Sequence, residues 1–148
     1  MTDFSIRLAD WSDDLPALRD IRTRVFIEEQ QVPLALEWDE LDGQCVHALA
    51  VAGAEPVGTG RLTPDGHIGR MAVLREWRGR GVGAALLDIL MHAARARGDH
   101  VCRLHAQTHA LGFYSRYGFL PEGEIFMEAG IPHQTMAFCF ETATEQGR

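Results

Sequence analysis

The feature that most restricts the fold of this chain is a glycine-rich loop directly before an amphipathic helical segment. The loop covers residues 78–83, where three glycines alternate with Arg78, Arg80 and Val82. Glycine has no Cβ, so the backbone can turn sharply there and bring its N–H groups close to a bound group. The helix that follows directs the positive end of its dipole at the same point. The loop therefore predicts an anion site, and a pyrophosphate in particular.

Two common nucleotide-binding loops do not fit this segment. A mononucleotide P-loop needs Gly-Lys-Ser/Thr, whereas Gly83 is followed by two alanines. A dinucleotide-binding loop needs Gly-x-Gly-x-x-Gly with an acidic residue about 20 positions later, and this pattern is missing. For the loop taken by itself, a tight turn between a strand and a helix remains the alternative.

Length and composition indicate one globular domain. We expect the 148 residues to form a single domain over residues 1–148, with residues 142–148 as a loose tail. Hydrophobic residues make up 46% and charged residues 24%, which is typical of a globular chain. We see no apolar run of about 20 residues and no secretory signal at the N-terminus, so we expect a cytoplasmic protein without a membrane partner.

Charge and cysteine content narrow the class of partner. The formal net charge of −7 disfavours a nucleic-acid surface and mildly favours a cationic or amine substrate. Arginines cluster over residues 70–80, so the basic region coincides with the predicted anion site. Cys45, Cys102 and Cys139 are widely spaced and odd in number, which predicts free thiols and neither a disulfide framework nor a zinc site.

Hydrophobic periodicity and turn residues predict helices interleaved with strands. The order is β-α-(α)-β-β-β-α-β-α-β-β. The predicted strands that have defined bounds are residues 4–9, 46–52, 57–62, 67–73, 100–106 and 134–140. The predicted helices are residues 12–29, capped by Ser12 and ended by Pro33, then 83–97, ended by Gly98, and 108–117. In the second of these, Val82, Leu86, Ile89, Leu90 and Ala93 are expected to be buried. This order predicts an α/β domain with a mixed sheet.

Two segments then carry a family resemblance. Residues 71–83 end in Arg-Gly-Arg-Gly-Val-Gly, and residues 110–119 read Ala-Leu-Gly-Phe-Tyr-Ser-Arg-Tyr-Gly-Phe. They resemble the Arg/Gln-x-x-Gly-x-Gly/Ala and Ala-x-x-Phe-Tyr-x-x-x-Gly-Phe segments of the GNAT superfamily of acyl-CoA-dependent N-acyltransferases. Residues 25–30 and 130–133 resemble the ElaA-like group within that superfamily. The resemblance covers nearly the whole chain.

The resemblance implies a GNAT-like fold, a mixed and mostly antiparallel sheet with helices on both faces, and acetyl-CoA as the acyl donor. The pantetheine arm would enter a V-shaped opening between two strands. The residues expected to bind acetyl-CoA are Met71, Ala72, Val73, Arg78, Gly79, Arg80, Gly81, Val82, Gly83, Gln107 and Tyr114. Two positions depart from the family pattern, because Arg75 stands where many members have proline and Gln107 where many have asparagine. Gln107 keeps the donors and acceptor of an amide.

Direct transfer to an amine needs a group that takes the amine proton and an acid that meets the departing thiolate. Tyr114 matches the family's thiol-facing tyrosine and is the candidate acid, with a packing role as the alternative. Tyr117 is expected in the core. The candidate bases are Glu29, which could instead be a solvated carboxylate, and His133, which could instead make only a backbone contact.

Other polar residues are weaker candidates. Asp39, Asp42 and His47 could line the acceptor pocket, although loop charges are more often solvated. His105 and His109 are more simply explained as strand-end or capping residues. The chemistry requires no metal, and the histidines lack a tight ligand spacing. Cys102 lies in a strand that reads as core, so we expect no catalytic cysteine.

The leading hypothesis is an N-acetyltransferase that moves acetyl from acetyl-CoA to a primary amine in a ternary complex. A non-catalytic acyl-CoA-sensing module and an acyl-homoserine lactone synthase are the alternatives. The acceptor is open among a small amine, an amino sugar, a peptide N-terminus and a protein lysine, because acceptor pockets are built from loops. Met136, Phe138 and Phe140 on the final strand could support a homodimer edge.

Overall fold

A computed structural model of the chain describes residues 4–32 and 40–140. The strands are β1 (Ser5–Leu8), β2 (Val46–Ala52), β3 (Glu55–Leu62), β4 (His67–Val73), β5 (Val101–Gln107), β6 (Leu120–Glu128) and β7 (Ile131–Cys139). The α-helices are α1 (Leu15–Arg22), α2 (Val82–Ala96) and α3 (Leu111–Ser115), and a π-helical segment, Thr23–Glu29, continues α1. Short 3-10 turns cover Glu40–Gln44, Arg75–Trp77 and Thr108–Ala110.

The strands form one seven-stranded sheet in the order β1-β2-β3-β4-β5-β7-β6. Neighbouring strands run antiparallel except β4 and β5, which are parallel. The predicted mixed and mostly antiparallel sheet is confirmed. None of the helices within residues 4–32 and 40–140 combines the length and the apolar character needed to cross a bilayer.

Helices pack on both faces of the sheet. Glycines in β3 determine how closely α2 approaches that strand. A Cβ at Gly58 would lie 2.8 Å from Val82, and one at Gly60 would lie 3.0 Å from Leu90, so the missing side chains let α2 pack directly on the strand. The next residue, Arg61, faces the other side of the sheet. There it shares the carboxylate of Asp42 with Arg22 of α1.

The parallel pair β4 and β5 separates after a short contact. Only two residue pairs join the strands, His67 with Arg103 and Ile68 with Leu104. The register of β4 against β3 also shifts between Thr59 and Arg61, and Arg70 in that part of β4 has a φ of +48°. A bulge of this kind bends the strand and increases its twist. Beyond Ile68 the two strands therefore diverge into a V-shaped opening.

The start of the first helix differs from the prediction of a cap at Ser12. The helix α1 begins at Leu15, and its N-cap, Asp14, makes no side-chain capping bond. The Asp14 carboxylate instead accepts hydrogen bonds of 2.7 and 2.8 Å from Arg7 and another of 2.8 Å from the backbone N–H of Asp10. An ion pair with the first strand thus fixes the point where the helix starts.

The later part of the first helical region is also not a plain α-helix. The helix α1 ends at Arg22, and the chain continues to Glu29 as a π-helix. Wider turns of this kind are uncommon and are often found at functional sites. The expected stop at Pro33 lies outside the described residues, as do the candidate Asp39 and the expected tail at residues 142–148.

The second helix follows the prediction within one residue at each end. Gly81 caps α2 with a φ of +88°, and Gly98 follows its end with a φ of +95°. The buried positions of α2 are Val82, Leu86, Leu87, Leu90 and Ala94. The predicted Ile89 and Ala93 are only partly buried against the core. The apolar face is therefore rotated slightly from the predicted one.

The C-terminal strands differ in their placement. The predicted helix at residues 108–117 is a 3-10 turn followed by the short α3. The final strand, β7, lies between β5 and β6, and Met136 on it is only 1% exposed. The prediction of a dimer edge on this strand is wrong, because both of its edges are already paired within the chain.

Candidate active site

A cleft of about 1080 Å³ occupies the V-shaped opening between β4 and β5. Its walls come from β4, β5, the π-helical segment, α3 and the turn between β6 and β7. At one end, near His67 and Ile68, the two strands still pair. The other end opens at Val73 and Arg78, toward the glycine-rich loop.

The glycine-rich loop has room for a bound group. Gly79 and Gly81 have φ values of +76° and +88°, which favour glycine. A Cβ at either position would meet no atom within 4 Å, so this side of the loop faces open space. The loop leads into the fifteen-residue helix α2, whose first N–H groups have no partners within the helix. The predicted anion cradle is therefore sterically accessible.

Arg78 and Glu29 form an ion pair across the open end of the cleft. Both terminal nitrogens of Arg78 donate to the Glu29 carboxylate at 2.7 Å, and its Nε donates to the carbonyl of Val73 at 3.0 Å. A second arginine, Arg75, lies 3.6 Å from the same carboxylate. The hydrogen bonds from Arg78 hold the pKa of Glu29 below its usual value. Glu29 is thus a weaker base than an ordinary glutamate.

The edge of β4 that faces the cleft is open along the predicted pantetheine segment. Ala72 and Val73 pair with Thr59 and Gly58 of β3 on one side. On the other side, within the described residues, β5 pairs with β4 only as far as Ile68. The main-chain groups of Met71, Ala72 and Val73 thus lie where another extended group could add to the sheet.

Tyr114 lies in the cleft wall inside an aromatic cluster. Its ring meets Phe113 edge-on at 5.0 Å and Phe119 at 6.1 Å between centroids. Burial raises the pKa of the Tyr114 phenol to about 12, so the hydroxyl keeps its proton at neutral pH. The neighbouring Tyr117, expected in the core, is instead 37% exposed and packs on the outer side of Phe113.

The strand pairing places His133 beside Gln107. The two residues are direct partners in the β5–β7 register, and both line the cleft. His133 is only 8% exposed, and its Nδ1 lies 2.7 Å from the carbonyl oxygen of Ile131. A carbonyl can only accept, so Nδ1 carries the proton. In the neutral ring the lone pair is then on Nε2.

The side chain of Gln107 is oriented from both ends of its amide. Its nitrogen donates to Gln30 at the end of the π-helical segment, at 3.2 Å, and His109 Nε2 lies 2.7 Å from its oxygen. These contacts join β5 to the segment that bears Glu29. His109 therefore orients Gln107, and it makes none of the helix-capping bonds that were the predicted alternative.

The candidates Asp42 and His47 were expected either in the acceptor pocket or in solvent, and they lie in neither place. Asp42 is only 4% exposed and pairs with Arg22 at 2.9 Å and Arg61 at 2.7 Å. His47 stacks on Trp11, and burial holds its pKa below the usual value. Neither residue lines the cleft, although Arg61 does. They hold the sheet to α1 and its following segment.

Sequence reasoning missed or set aside several polar cleft residues. Four of them are Asp65, His67, His105 and Glu128. The alternation of β5 puts His105 on the same face as Gln107, so that strand alone contains a usable signal. The other three could not be placed from the sequence, because Asp65 lies in the tight turn before β4, His67 is the first residue of that strand, and Glu128 lies on a strand whose bounds were not predicted.

In the part of the chain that the structure describes, neither a cluster of metal ligands nor an activated Cys102 is present. Within residues 4–32 and 40–140 no group of three or more potential ligand side chains converges to hold a metal ion. Cys102 is buried, and desolvation raises the pKa of its thiol to about 12. The nucleophilic form of this cysteine is therefore scarce at neutral pH.

Comparison with known proteins gives a consistent result. The chain matches the model of the acetyltransferase (GNAT) domain over residues 14–140. It is 40% identical over 121 residues to YjcF, an uncharacterized N-acetyltransferase of Bacillus subtilis, and the match covers 78% of this chain and 86% of that one. Among solved structures it is similar to an acyl-CoA N-acyltransferase from Pseudomonas aeruginosa, with 32% identity and a TM-score of 0.80. It is also similar to Escherichia coli ElaA, with 31% identity and a TM-score of 0.80, and each structural match covers 90% of this chain and 98% of the other.

Proposed function

Because the chain belongs to the GNAT acetyltransferase family, we propose that it moves an acetyl group from acetyl-CoA to a primary amine by direct attack in a ternary complex. The observation that carries this proposal is the opening between β4 and β5, which leads straight to a loop with open space above its glycines. A strand-like arm and a diphosphate need these two features side by side.

The residues present fit acetyl-CoA. Main-chain groups of Met71, Ala72 and Val73 would pair with the pantetheine amides along the open edge of β4. The N–H groups of the loop and the first turn of α2 would hold the diphosphate, with the loop residues Arg78, Gly79, Arg80, Gly81, Val82 and Gly83 as its binding segment. Arg80 is held nearby by stacking on Trp77 at 4.7 Å. Gln107, fixed at both ends of its amide, would line the acyl end of the arm.

We propose Tyr114 as the acid and His133 as the base of the transfer. As the amine nitrogen forms its bond to the acetyl carbon, Nε2 of His133 takes a proton from that nitrogen. The bond between carbon and sulfur breaks, and the Tyr114 hydroxyl gives its proton to the departing sulfur. The products are an acetamide and free CoA thiol, and exchange with water returns the proton from the imidazolium to the phenolate.

Glu29 is the other candidate base, and its surroundings favour a different role. Its carboxylate is occupied by Arg78 and lies near Arg75, which weakens its basicity. Arg78 would bind the diphosphate, and Glu29 reaches it from the opposite wall. Together the two residues would set the width of the open end of the cleft. We therefore propose that Glu29 positions Arg78 and that His133 takes the amine proton.

The test has two stages. Calorimetric titration of the protein with acetyl-CoA should show saturable binding, and absence of binding at about millimolar concentration would refute the proposal. Thiol release is then measured with a panel of primary amines, using protein without amine as the control. If the protein binds acetyl-CoA but none of the amines in the panel causes thiol release, it would instead be a sensing module.

A further inference from the structure

The end of the cleft where β4 and β5 still pair has two pairs of a carboxylate and an imidazole, whose side chains are 39–73% exposed. His105 Nδ1 lies 2.9 Å from the Glu128 carboxylate, and His67 Nδ1 lies 3.4 Å from Asp65. The two imidazoles meet edge-on with 5.9 Å between their centroids. All four residues line the cleft and are brought together from β4, β5, β6 and the turn before β4. We call this group the imidazole end.

The carboxylates of the imidazole end have histidines as their ion-pair partners. Glu29, Asp42 and Glu122, by contrast, are each paired with an arginine. Among the described residues no arginine lies within ion-pair distance of Asp65 or Glu128, whose charged neighbours are the two histidines. A hydrogen bond from Thr63 lowers the pKa of Asp65, which keeps that carboxylate ionised. Two carboxylates therefore lie at this end with imidazoles as their ion-pair partners among the described residues.

The strand register connects the imidazole end to the proposed base. Gln107 pairs with His133, and His105 lies two residues before Gln107 on the same face of β5. Side chains related diagonally in this way lie about 7–8 Å apart. The ring of Phe126 lies against the imidazoles of His105 and His133, with ring centroids 5.0 Å and 6.0 Å away.

His133 presents a nitrogen that a ligand could use. The residue lines the cleft and is only 8% exposed, and its Nδ1 is bonded to a carbonyl. Its Nε2 has no hydrogen-bond partner among the described residues and is not enclosed away from solvent. An amine that enters the cleft could therefore donate a hydrogen bond to Nε2.

We propose that the imidazole end binds a second cationic group of the acceptor, so that the preferred substrate is an α,ω-diamine. One amine would lie at His133 for acetylation, and the other, as an ammonium, would lie between Glu128 and Asp65. This inference rests on the proposed function and adds the class of the acceptor. Arg61 and Arg70 also line the cleft, so an amine that carries a carboxylate is the contrasting class.

The test compares unbranched alkyl diamines of increasing length with monoamines of the same length and with ω-amino acids. Each charge-assisted hydrogen bond contributes about 1.5–3 kcal/mol, so we expect kcat/KM to be at least about ten-fold higher for the best diamine than for its monoamine. In Glu128→Gln the diamine should lose this advantage. Glu124→Gln, an exposed acid on the same strand outside the cleft, is the matched control and should keep it. The chain contains no lysine, so acetylation of its own lysines cannot add to the signal.

The outcomes separate the two proposals. If acetyl-CoA binds and monoamines are acetylated, but diamines have no advantage or Glu128→Gln leaves their advantage intact, the diamine inference fails and the proposed function stands. A preference for ω-amino acids would equally overturn the inference. If acetyl-CoA does not bind, or no amine is acetylated, both proposals fail.

Discussion

At the scale of single residues, burial gives the Tyr114 hydroxyl the property that an acid needs. The phenol is protonated at neutral pH, because desolvation raises its pKa to about 12. It can therefore donate a proton without first acquiring one. His133 has the complementary property, since the carbonyl of Ile131 keeps the proton on Nδ1 and leaves Nε2 as an acceptor.

Replacing Tyr114 with phenylalanine should lower kcat by about 100-fold, because general acid catalysis typically contributes that much or more. The Kd for acetyl-CoA should change little, since the ring and its packing remain. Tyr117→Phe removes a hydroxyl from the exposed neighbour and should leave kcat unchanged. Stopped-flow thiol release and calorimetric titration measure the two quantities.

The raised pKa also predicts the alkaline side of the pH profile. An acid must be protonated to act, so loss of the Tyr114 proton should not reduce kcat below about pH 11, given a pKa of about 12. A fall in kcat between pH 8 and pH 10 that disappears in Tyr114→Phe would contradict this assignment.

The variant Glu29→Gln distinguishes a role of Glu29 in positioning Arg78 from a role as the base of the reaction. The glutamine amide oxygen can still accept a hydrogen bond and so position Arg78, but it no longer offsets the charge of the arginine. We therefore expect acetyl-CoA to bind up to about five-fold more tightly, as for loss of a competing ion pair of up to about 1 kcal/mol. The decrease in kcat should stay below about ten-fold, whereas His133→Gln should decrease it by about 100-fold. The exposed neighbour gives the control Glu28→Gln. A larger kcat loss in Glu29→Gln than in His133→Gln would restore Glu29 as the base.

At the scale of elements, the loop and α2 act as one unit. Gly81 is both the second of the three loop glycines and the left-handed cap of α2. The glycines Gly58 and Gly60 in β3 allow α2 to pack closely on the sheet, which fixes the position of its N-terminus. The strand geometry thereby sets where the proposed diphosphate site lies.

Gly81→Asp should weaken acetyl-CoA binding by about 100-fold or more, because a carboxylate would stand where the diphosphate is proposed to bind. Gly81→Asn is the matched variant, since asparagine has the same shape without charge and tolerates a positive φ better than most residues. It should weaken binding by less than about ten-fold. Gly53→Asp places the same residue at a φ of +63° in the remote β2–β3 turn and should leave the Kd unchanged. Equal loss in the Asp and Asn variants at position 81 would show that strain, not charge, is responsible.

At the scale of the whole molecule, a buried ion cluster joins parts that are distant in sequence. Asp42 binds Arg22 at the end of α1 and Arg61 in β3, and its backbone carbonyl lies 2.8 Å from His47 Nε2. The helix, the sheet and the connecting turn are thus tied at one carboxylate. This cluster also holds Arg61 at the wall of the cleft.

Asp42→Asn should lower the free energy of unfolding by about 3–5 kcal/mol, because it removes a carboxylate that pairs with two buried arginines. Urea denaturation followed by circular dichroism measures the loss. Asp20→Asn breaks the exposed pair with Arg24, whose side chains are about half exposed, and should cost about 0–1 kcal/mol. Similar losses in the two variants would show that the buried cluster contributes no more than a surface pair.

Local signals in the sequence determined the middle of the fold. The strands β2 and β4 have their predicted bounds, and α2 is shifted by one residue, because hydrophobic periodicity and glycine turns act over only a few positions. The two motifs carried the GNAT resemblance, which the family match confirms. Sequence also singled out Tyr114, His133 and Gln107 as cleft residues, although their roles stay predictions.

The tertiary structure alone decided which charges meet. Glu29 and Arg78 are 49 residues apart, and Glu128 reaches His105 only through the register of β6, β7 and β5. A sequence pattern reports which face of an element is apolar, but the partner of a polar side chain depends on strand order and burial. For that reason the residues by themselves indicated an anion-binding loop, and the family resemblance implied a thiol-facing tyrosine. Only the folded sheet assigned Glu29 to an arginine, buried Asp42, and placed two carboxylates at the end of the cleft where β4 and β5 pair.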